Sequence, residues 1–592
     1  MVKNSSPGFV LKTILVAGAI TLMSVGVVVA VEARLDVLAG PYDGTFDSVE
    51  AVNLVVGAGT FYSAGYFGAG VVIANVEAGH VWGGHEVFDR TGLLLPVSPA
   101  LNLNAARNAV TAPDLGDIDF HATAVAHVLA GTGLLANGNL SLLGAGLAPY
   151  ATLWSGAIAT RFDRTEAGIG SFEISNHSFL VPYRAFFEGT VGGKADVINS
   201  SWGFGDPAGR AFENRTLDAL AAVNPSVTFV RSAGNGGPTA TPGVGFNGIV
   251  VGALGGSGDA NPFLRPTAFT SSKAGDYFDP VSNTTLTGVR AVVDIAAPGE
   301  DFALAFYGGK SGSLADIVGE GNPATDLYYT FNQSGTSFSS PVVAGGIALL
   351  KEVANSGLFF VEQDAGRDSR VLSSVIQAGA RKTLGWDNAQ AVVSGVIVTG
   401  QALDFATGAG ALDLNASAGI YVGGTTDVSG VNGGTITAVG WDLGQVATGS
   451  ANDYFFDLAF NAGTGLTVAL NWFVQTTFDT VTESPGYGSF ADLNLSIWRV
   501  SAGAFSMLVA SSESGYGTTE FLRLVDLDAG LYGLRVTHSG LRYDFTDGAG
   551  PESFGLAWTT VTAVPEPWAW GVAGWVFLML IVARRARLRR RP

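Results

Sequence analysis

Between residues 61 and 421 two patterns of apolar residues take turns along the chain. Short runs with almost no polar interruption are VVIANV (71–76), ATLWSGAI (151–158), ADVINSSW (195–202), VTFVRSAG (227–234) and GIVVGAL (248–254). Apolar runs of this length that do not alternate predict strands buried on both faces. Between them, ATAVAHVLAG (122–131) and NRTLDALAAV (214–223) carry apolar residues at helical spacing. Strand and helix in alternation predict an α/β domain, a mostly parallel sheet covered by helices on both faces. In such folds ligands sit at the carboxyl ends of the strands. From residue 435 the helical spacing stops. DYFFDLAF (453–460), GLTVALNWFV (465–474), DLNLSIWRV (492–500), TEFLRLVDL (519–527), GLYGLRVTH (530–538) and ESFGLAW (552–558) follow one another with turn residues between them. Several alternate polar and apolar, as strands with one wet face do, and together they predict an all-β sandwich.

The ends read differently from the body. Lys3 and Lys12, an apolar stretch from Ile14 to Val31 and small residues after it have the order of an export signal, residues 1–33, with an uncleaved anchor as the alternative. A short lead-in (34–60) precedes the α/β domain (61–421), and a Gly/Thr-rich linker (422–434) joins it to the β domain (435–562). The last segment, 563–592, holds Pro565-Glu566-Pro567, an apolar stretch from Trp568 to Ala583 and a cluster of Arg residues. The Arg cluster should remain cytoplasmic and stop transfer, while the apolar stretch is short for a permanent span.

Charge and composition narrow the class. With 31 Lys and Arg against 50 Asp and Glu the net charge is −19, which argues against nucleic acid as a partner and suits an exported, solvated protein. The chain has no Cys, so neither disulfides nor thiol chemistry contribute.

Five element ends carry residues able to do chemistry. In QSGTSFSSPVVAG (333–345), Ser337 stands at the start of an apolar helix with Pro341 expected in its first turn. Free amides and a positive dipole end at a helix N-terminus favour an attacking oxygen and the oxyanion it creates. His121 heads another helix and offers the near-neutral base that a Ser nucleophile requires. Asn235, in RSAGNGG (231–237), presents an amide where glycines let a substrate approach. Ser201, Trp202 and Gly203, in NSSWG (199–203), end a strand where an extended peptide substrate can pair. Glu77 closes the first buried run, VVIANVEAG, an unusual place for a lone acid. Each has an ordinary reading, a helix cap, a core histidine or a turn residue; their occurrence together in one α/β domain points to a site.

On these residues the sequence resembles the subtilisin-like serine proteases, the subtilases of family S8. GAGVVIANVEAG (68–79) is similar to the family's acid motif, HATAVA (121–126) to its His motif and GTSFSSP (335–341) to its Ser motif, in the family's order. GLAPYATL (146–153), SAGN (232–235), DIAAPG (294–299) and GAGALDLNAS (408–417) resemble further family elements. The resemblance implies the subtilase fold and endopeptidase chemistry through an acyl-enzyme, with Ser337 as nucleophile, His121 as general base, and Asn235 with the Ser337 amide as oxyanion donors. It departs from the family at Glu77, where an Asp is usual, and at Ala122, where Gly is usual. Glu77 is expected to orient His121 in a Ser-His-Glu triad; Asp117 or Asp119 in that role, and a degraded triad, are the alternatives. The lead-in is too short for the long N-terminal folding segment of many subtilases. The segment 563–592 resembles a PEP-CTERM sorting signal, which implies exosortase as a partner and the outer surface of a Gram-negative bacterium or its surroundings as destination.

The remaining features carry less. His80, His85 and Glu86 fit no zinc spacing and are expected in a solvated loop. His127 is expected to pack or face solvent, and Asp453 and Asp492, which could ligate calcium, to be ordinary turn acids. No cofactor is required and metal is expected at none of the site residues; structural calcium is common in the family, without a site that the sequence locates. The expectation is a secreted serine endopeptidase acting on protein or peptide substrates. The alternative from another class is a catalytically silent surface-binding protein on the same scaffold.

Overall fold

The computed structural model describes residues 52–83, 86–88, 119–134, 140–165, 168–190, 192–243, 245–256, 263–306, 329–359, 363–424, 433–546, 548 and 550–561. The expected export signal and sorting segment, Asp117, His85 and the Glu86 side chain lie outside the described residues.

The apolar runs fold as β1 (Val72–Glu77), β2 (Thr152–Ala157), β3 (Val197–Ser200), β4 (Thr228–Ser232) and β5 (Ile249–Gly255). With the short β6 (Arg265–Pro266) and with β7 (Ile295–Pro298) they make a seven-stranded sheet in the order β6-β5-β4-β3-β1-β2, β7 also pairing with β5. All pairs are parallel except β5 with β6, so the sheet is mixed. Successive side chains divide between two cores. Ile73, Val197 and Val230 join α1 (Phe120–Ala130) and α4 (Thr336–Asn355) on one face. Ala74, Ile198 and Phe229 join α2 (Asn176–Glu188) and α3 (Phe212–Val223) on the other. Both faces are dry, which is why the strands read as unbroken apolar runs. α4 lies against the segment that leads into β2: a Cβ on Gly345 would come 2.4 Å from the Leu147 Cβ.

The C-terminal region is rich in strands. One sheet of eight strands runs from a hairpin, Ala391–Val393 with Val396–Thr399, through Ala504–Ser512, Ser484–Ser501, Leu531–Asp544 and Ala451–Phe456 to Gly433–Ile436. Gln475–Asp479 adds to Ser484–Ser501. A second sheet has four strands in the order Val439–Val446, Glu552–Val561, Thr464–Trp472, Thr519–Leu527. Trp472 and Trp558 of the small sheet meet Leu493 and Leu534 of the large one in a shared core. The other face of the small sheet is also dry: Trp441, Ala469, Phe521 and Ala557 join the α1/α4 core. The expectation of one wet face therefore fails for this sheet, because α5 (Ser369–Gly379) covers it. The Ser374 hydroxyl donates to the Gly555 carbonyl at 2.8 Å, and a Cβ on Gly555 would lie 2.3 Å from the Arg370 backbone. Asp453 and Asp492 lie in strands, not turns, ion-paired with Arg535 at 2.7 Å and Arg542 at 2.8 Å. Among the described residues no helix is long and apolar enough to cross a membrane.

Candidate active site

Glu77 is the last residue of β1 and is 1% exposed. Its Oε2 lies 3.1 Å from His121 Nδ1, and its Oε1 accepts the Ser201 N–H at 2.7 Å. The register explains the second contact: β1 pairs with β3 so that Asn75 lies opposite Asn199, which brings Ser201, one residue past β3, to the end of β1. Burial pushes the Glu77 carboxyl up, and the imidazole and the Ser201 amide draw it back. Burial would push His121 down; the hydrogen bond and charge of Glu77, with the charge of Asp119, outweigh it and raise the imidazole. With Nδ1 facing the carboxylate, Nε2 is left as the basic nitrogen of a ring whose side chain is 29% exposed.

Ser337 is the second residue of α4, where the backbone N–H has no acceptor within the helix. Asn235 is locked against this turn: its Oδ1 accepts the Thr336 N–H at 2.9 Å and the Thr336 hydroxyl at 2.8 Å. A backbone N–H can only donate, so the oxygen must face it and the amide nitrogen is left over as a donor. The His121 ring is 6.2 Å from the Phe338 ring, between centroids, so the head of α1 packs on the first turn of α4. The Ser337 hydroxyl donates to the Ser201 carbonyl at 3.2 Å.

The helix begins at Thr336, which places Pro341 in the second turn, one turn later than the sequence pattern predicts. Pro341 has no N–H for the Ser337 carbonyl four residues back. The Ser201 hydroxyl supplies the missing donor at 2.8 Å. Ser201 thus gives its N–H to Glu77 and its hydroxyl to α4, and its carbonyl accepts from Ser337. It binds the reactive residues to one another. Trp202 turns into the core and donates Nε1–H to the Tyr183 hydroxyl at 3.2 Å. Of the three residues expected to meet substrate, Gly203 is the exposed one.

Beneath the site runs a buried polar chain that the sequence reading did not single out. Asn75 donates to the Ala122 carbonyl at 3.0 Å, and Asn199 donates to Asn75 at 3.2 Å and to the Ser201 hydroxyl at 3.2 Å. Ser340 donates to Asn199 Oδ1 at 2.7 Å. The chain links the His helix, two strands and the Ser helix. Its signal was present: an Asn inside VVIANV and another inside DVINSS are buried polar groups that must find partners.

Asp119 caps α1, accepting the His121 backbone N–H at 2.9 Å, while the imidazole goes to Glu77. His80 is not in a solvated loop; it is 2% exposed, with Nδ1 3.1 Å from the Ser155 hydroxyl, and burial lowers its pKa to about 3. His127 is buried and its Nδ1 accepts the Ala305 N–H at 3.1 Å. Among the described residues no group of three His, Asp or Glu gathers to hold a metal.

The profile of the subtilase family, peptidase S8, matches residues 70–410. The chain belongs to the subtilase family and is a subtilisin-like serine peptidase, a hydrolase of protein substrates. Three solved structures are similar to it. The prenylagaramide maturation protease PagA is 20% identical over 55% of this chain and 88% of that one, with a TM-score of 0.35. The Aeromonas sobria serine protease (ASP), solved in complex with the chaperone (ORF2), is 13% identical over 90% of this chain and 94% of that one, with a TM-score of 0.42. A protease from Pseudoalteromonas arctica is 18% identical over 64% of this chain and 96% of that one, with a TM-score of 0.40. A search of the curated proteins finds no match.

Proposed function

We propose that this peptidase is an exported endopeptidase working through a Ser-His-Glu triad. Glu77 accepts the Nδ1 proton of His121, fixes the tautomer and stabilises the imidazolium. His121 takes the Ser337 proton as the hydroxyl attacks the scissile carbonyl; the Ser337 amide and the Asn235 side-chain amide hold the oxyanion, and water then hydrolyses the acyl-enzyme. Gly203 offers backbone to an extended substrate. The observation that carries the reading is the buried Glu77 carboxylate, with one oxygen 3.1 Å from His121 Nδ1 and the other 2.7 Å from the Ser201 amide. The extra methylene of Glu thus has a geometry that uses it. No organic cofactor enters the reaction.

The proposed organisation keeps the export signal at 1–33, the peptidase at 61–421, a two-sheet sandwich at 435–562 whose large sheet also takes in the hairpin 391–399 and the strand Gly433–Ile436, and a PEP-CTERM segment at 563–592 centred on Pro565, Glu566 and Pro567. That segment would be handled by exosortase during passage to the outer surface or medium of a Gram-negative cell. The shared core between the two C-terminal sheets supports the sandwich.

A Ser-directed fluorophosphonate probe tests the chemistry. Labelling and casein digestion by the wild type, both absent in Ser337→Ala, support the enzyme. Folded wild type that neither labels nor cleaves would favour the silent binding protein.

A further inference from the structure

Asp119 is a buried carboxylate that the proposed reaction does not use, and it is 2% exposed. It accepts the His121 backbone N–H at 2.9 Å; burial pushes its carboxyl up, and the His121 charge with the nearby amides of His121, Ala122 and Gly79 draws it back toward the charged form. Its own N–H donates to the His80 carbonyl at 2.9 Å. A helix cap needs only one acceptor, and Ser, Thr or Asn supplies it as well. Capping alone leaves unexplained why the carboxylate also faces the Gly79 amide, two positions beyond Glu77, next to the backbone bond that ties Asp119 to His80. Those bonds close a ring: from Glu77 along the chain to Gly79, across to Asp119, along the helix head to His121, and back through the imidazole to Glu77.

A Glu carries its carboxylate roughly 1.5 Å farther from the backbone than an Asp. The separation between the end of β1 and the head of α1 must match that reach, and the Asp119 ring is the connection that sets it. We propose that Asp119 is a positioning residue that fixes this separation for the longer Glu77 arm and holds a second negative charge behind His121. The proposal rests on the Ser-His-Glu reading. Among the described residues, the charges acting on His121 are those of Glu77 and Asp119. His80 beside them is kept neutral by burial. α4 brings Ser337 and Phe338 to this point, its Lys351 and Glu352 lying toward its far end, and β2 and the strand Phe302–Ala305 carry no ionisable residue. Removing the Asp119 charge lowers the proton affinity of His121, so the basic form is populated at lower pH.

The test is the pH profile of kcat and kcat/KM on a small peptide ester, per fluorophosphonate-reactive site, for wild type, Asp119→Asn, Asp119→Ser and Glu77→Gln. Asn and Ser both keep an acceptor for the cap and remove the charge. The expected result for either Asp119 variant is kcat lower by about tenfold or more, since misplacement of about 1 Å can cost 10²-fold. KM stays within about twofold of wild type and the acid limb moves to lower pH. If Asp119→Asn yields too little folded enzyme, Asp119→Ser carries the same reading. Fewer labelled sites with an unmoved limb and unchanged kcat per site would mean a purely structural cap and overturn the proposal. Wild-type turnover in Glu77→Gln would instead remove the triad on which it rests. A crippled Glu77→Gln beside wild-type behaviour in both Asp119 variants would leave the triad standing and the positioning role refuted.

Discussion

Buried acids occur in two parts of this molecule and do different things there. At the carboxyl end of β1, Glu77 and Asp119 both bond to His121 at the head of α1, and their network ends on a partly exposed imidazole and a hydroxyl. At the seam between the peptidase region and the C-terminal sheets, the buried acids close on backbone amides and buried hydroxyls. Asp218 accepts the amides of Phe246 at 2.8 Å and Asn247 at 2.9 Å. Asn247 then exchanges two bonds of 2.8 Å with Val474 across the seam. Glu520 is held by Ser512 and Ser514. Burial raises carboxyls in both places, so burial is not what makes a site. A site differs in where the hydrogen-bond chain ends, on a group that can meet a substrate or on the fold itself.

Substitutions at the two places should therefore separate chemistry from cohesion. Glu77→Gln has the largest expected effect: kcat falls by about 10⁴, the loss seen when a serine-protease triad is left with the wrong tautomer, while a thermal melt still shows a folded protein. Glu77→Asp withdraws the carboxylate by one methylene from a site spaced for Glu, and kcat should drop by about 10². An Asp variant as active as wild type would show that the strand end adapts. Asn247→Ala strands the Val474 amide and carbonyl at the seam and should reduce stability by roughly 2–4 kcal/mol in denaturant titrations, with kcat per labelled site unchanged. Loss of activity in the remaining folded fraction would break the distinction.

pH should move the two regions in opposite directions. His121 has a raised pKa, so its basic form, and with it kcat/KM, grows only as pH climbs through a value above the ordinary 6.5. At the seam the folded-state values are also raised, to about 7 for Asp294 and Glu552 and about 8 for Glu520. For an acid raised on folding the protonated form favours the native state. Stability is therefore fully present below the unfolded value of about 4, and is lost as pH rises toward 7–8. Scanning calorimetry should find a melting temperature that falls across the interval in which activity rises, and Glu520→Gln should flatten that fall. The smallest expected effect is at Arg535 and Asp453, each about one-third exposed. Asp453→Ala should cost about 1 kcal/mol or less and leave both profiles alone.

The reading of the chain succeeded where the cause is local. The strands β1 to β5 and the helices α1 and α3 stand close to their apolar runs, because periodicity reports which faces each segment hides. It failed where a partner distant in sequence decides. Strands with a regular polar alternation looked one-sided, yet α5 dries the second face of the small sheet. Pro341 fell a turn later than its pattern implied, with Ser201 mending the gap from 136 residues away. His80 looked solvated because nothing near it in sequence says that Ser155 and the sheet enclose it.

The amino-acid order alone determined the α/β class, the strand-rich C-terminal part and the residue types able to do acyl transfer at element ends. The tertiary structure decided which acid meets His121, that Ser201 knits the reactive residues together, and that the small sheet is a wall with two dry faces. The physical reason is range. Hydrophobic period and capping are written within a few residues, whereas the Glu77 to Ser201 contact spans 124 positions and exists only once parallel strands have settled their register.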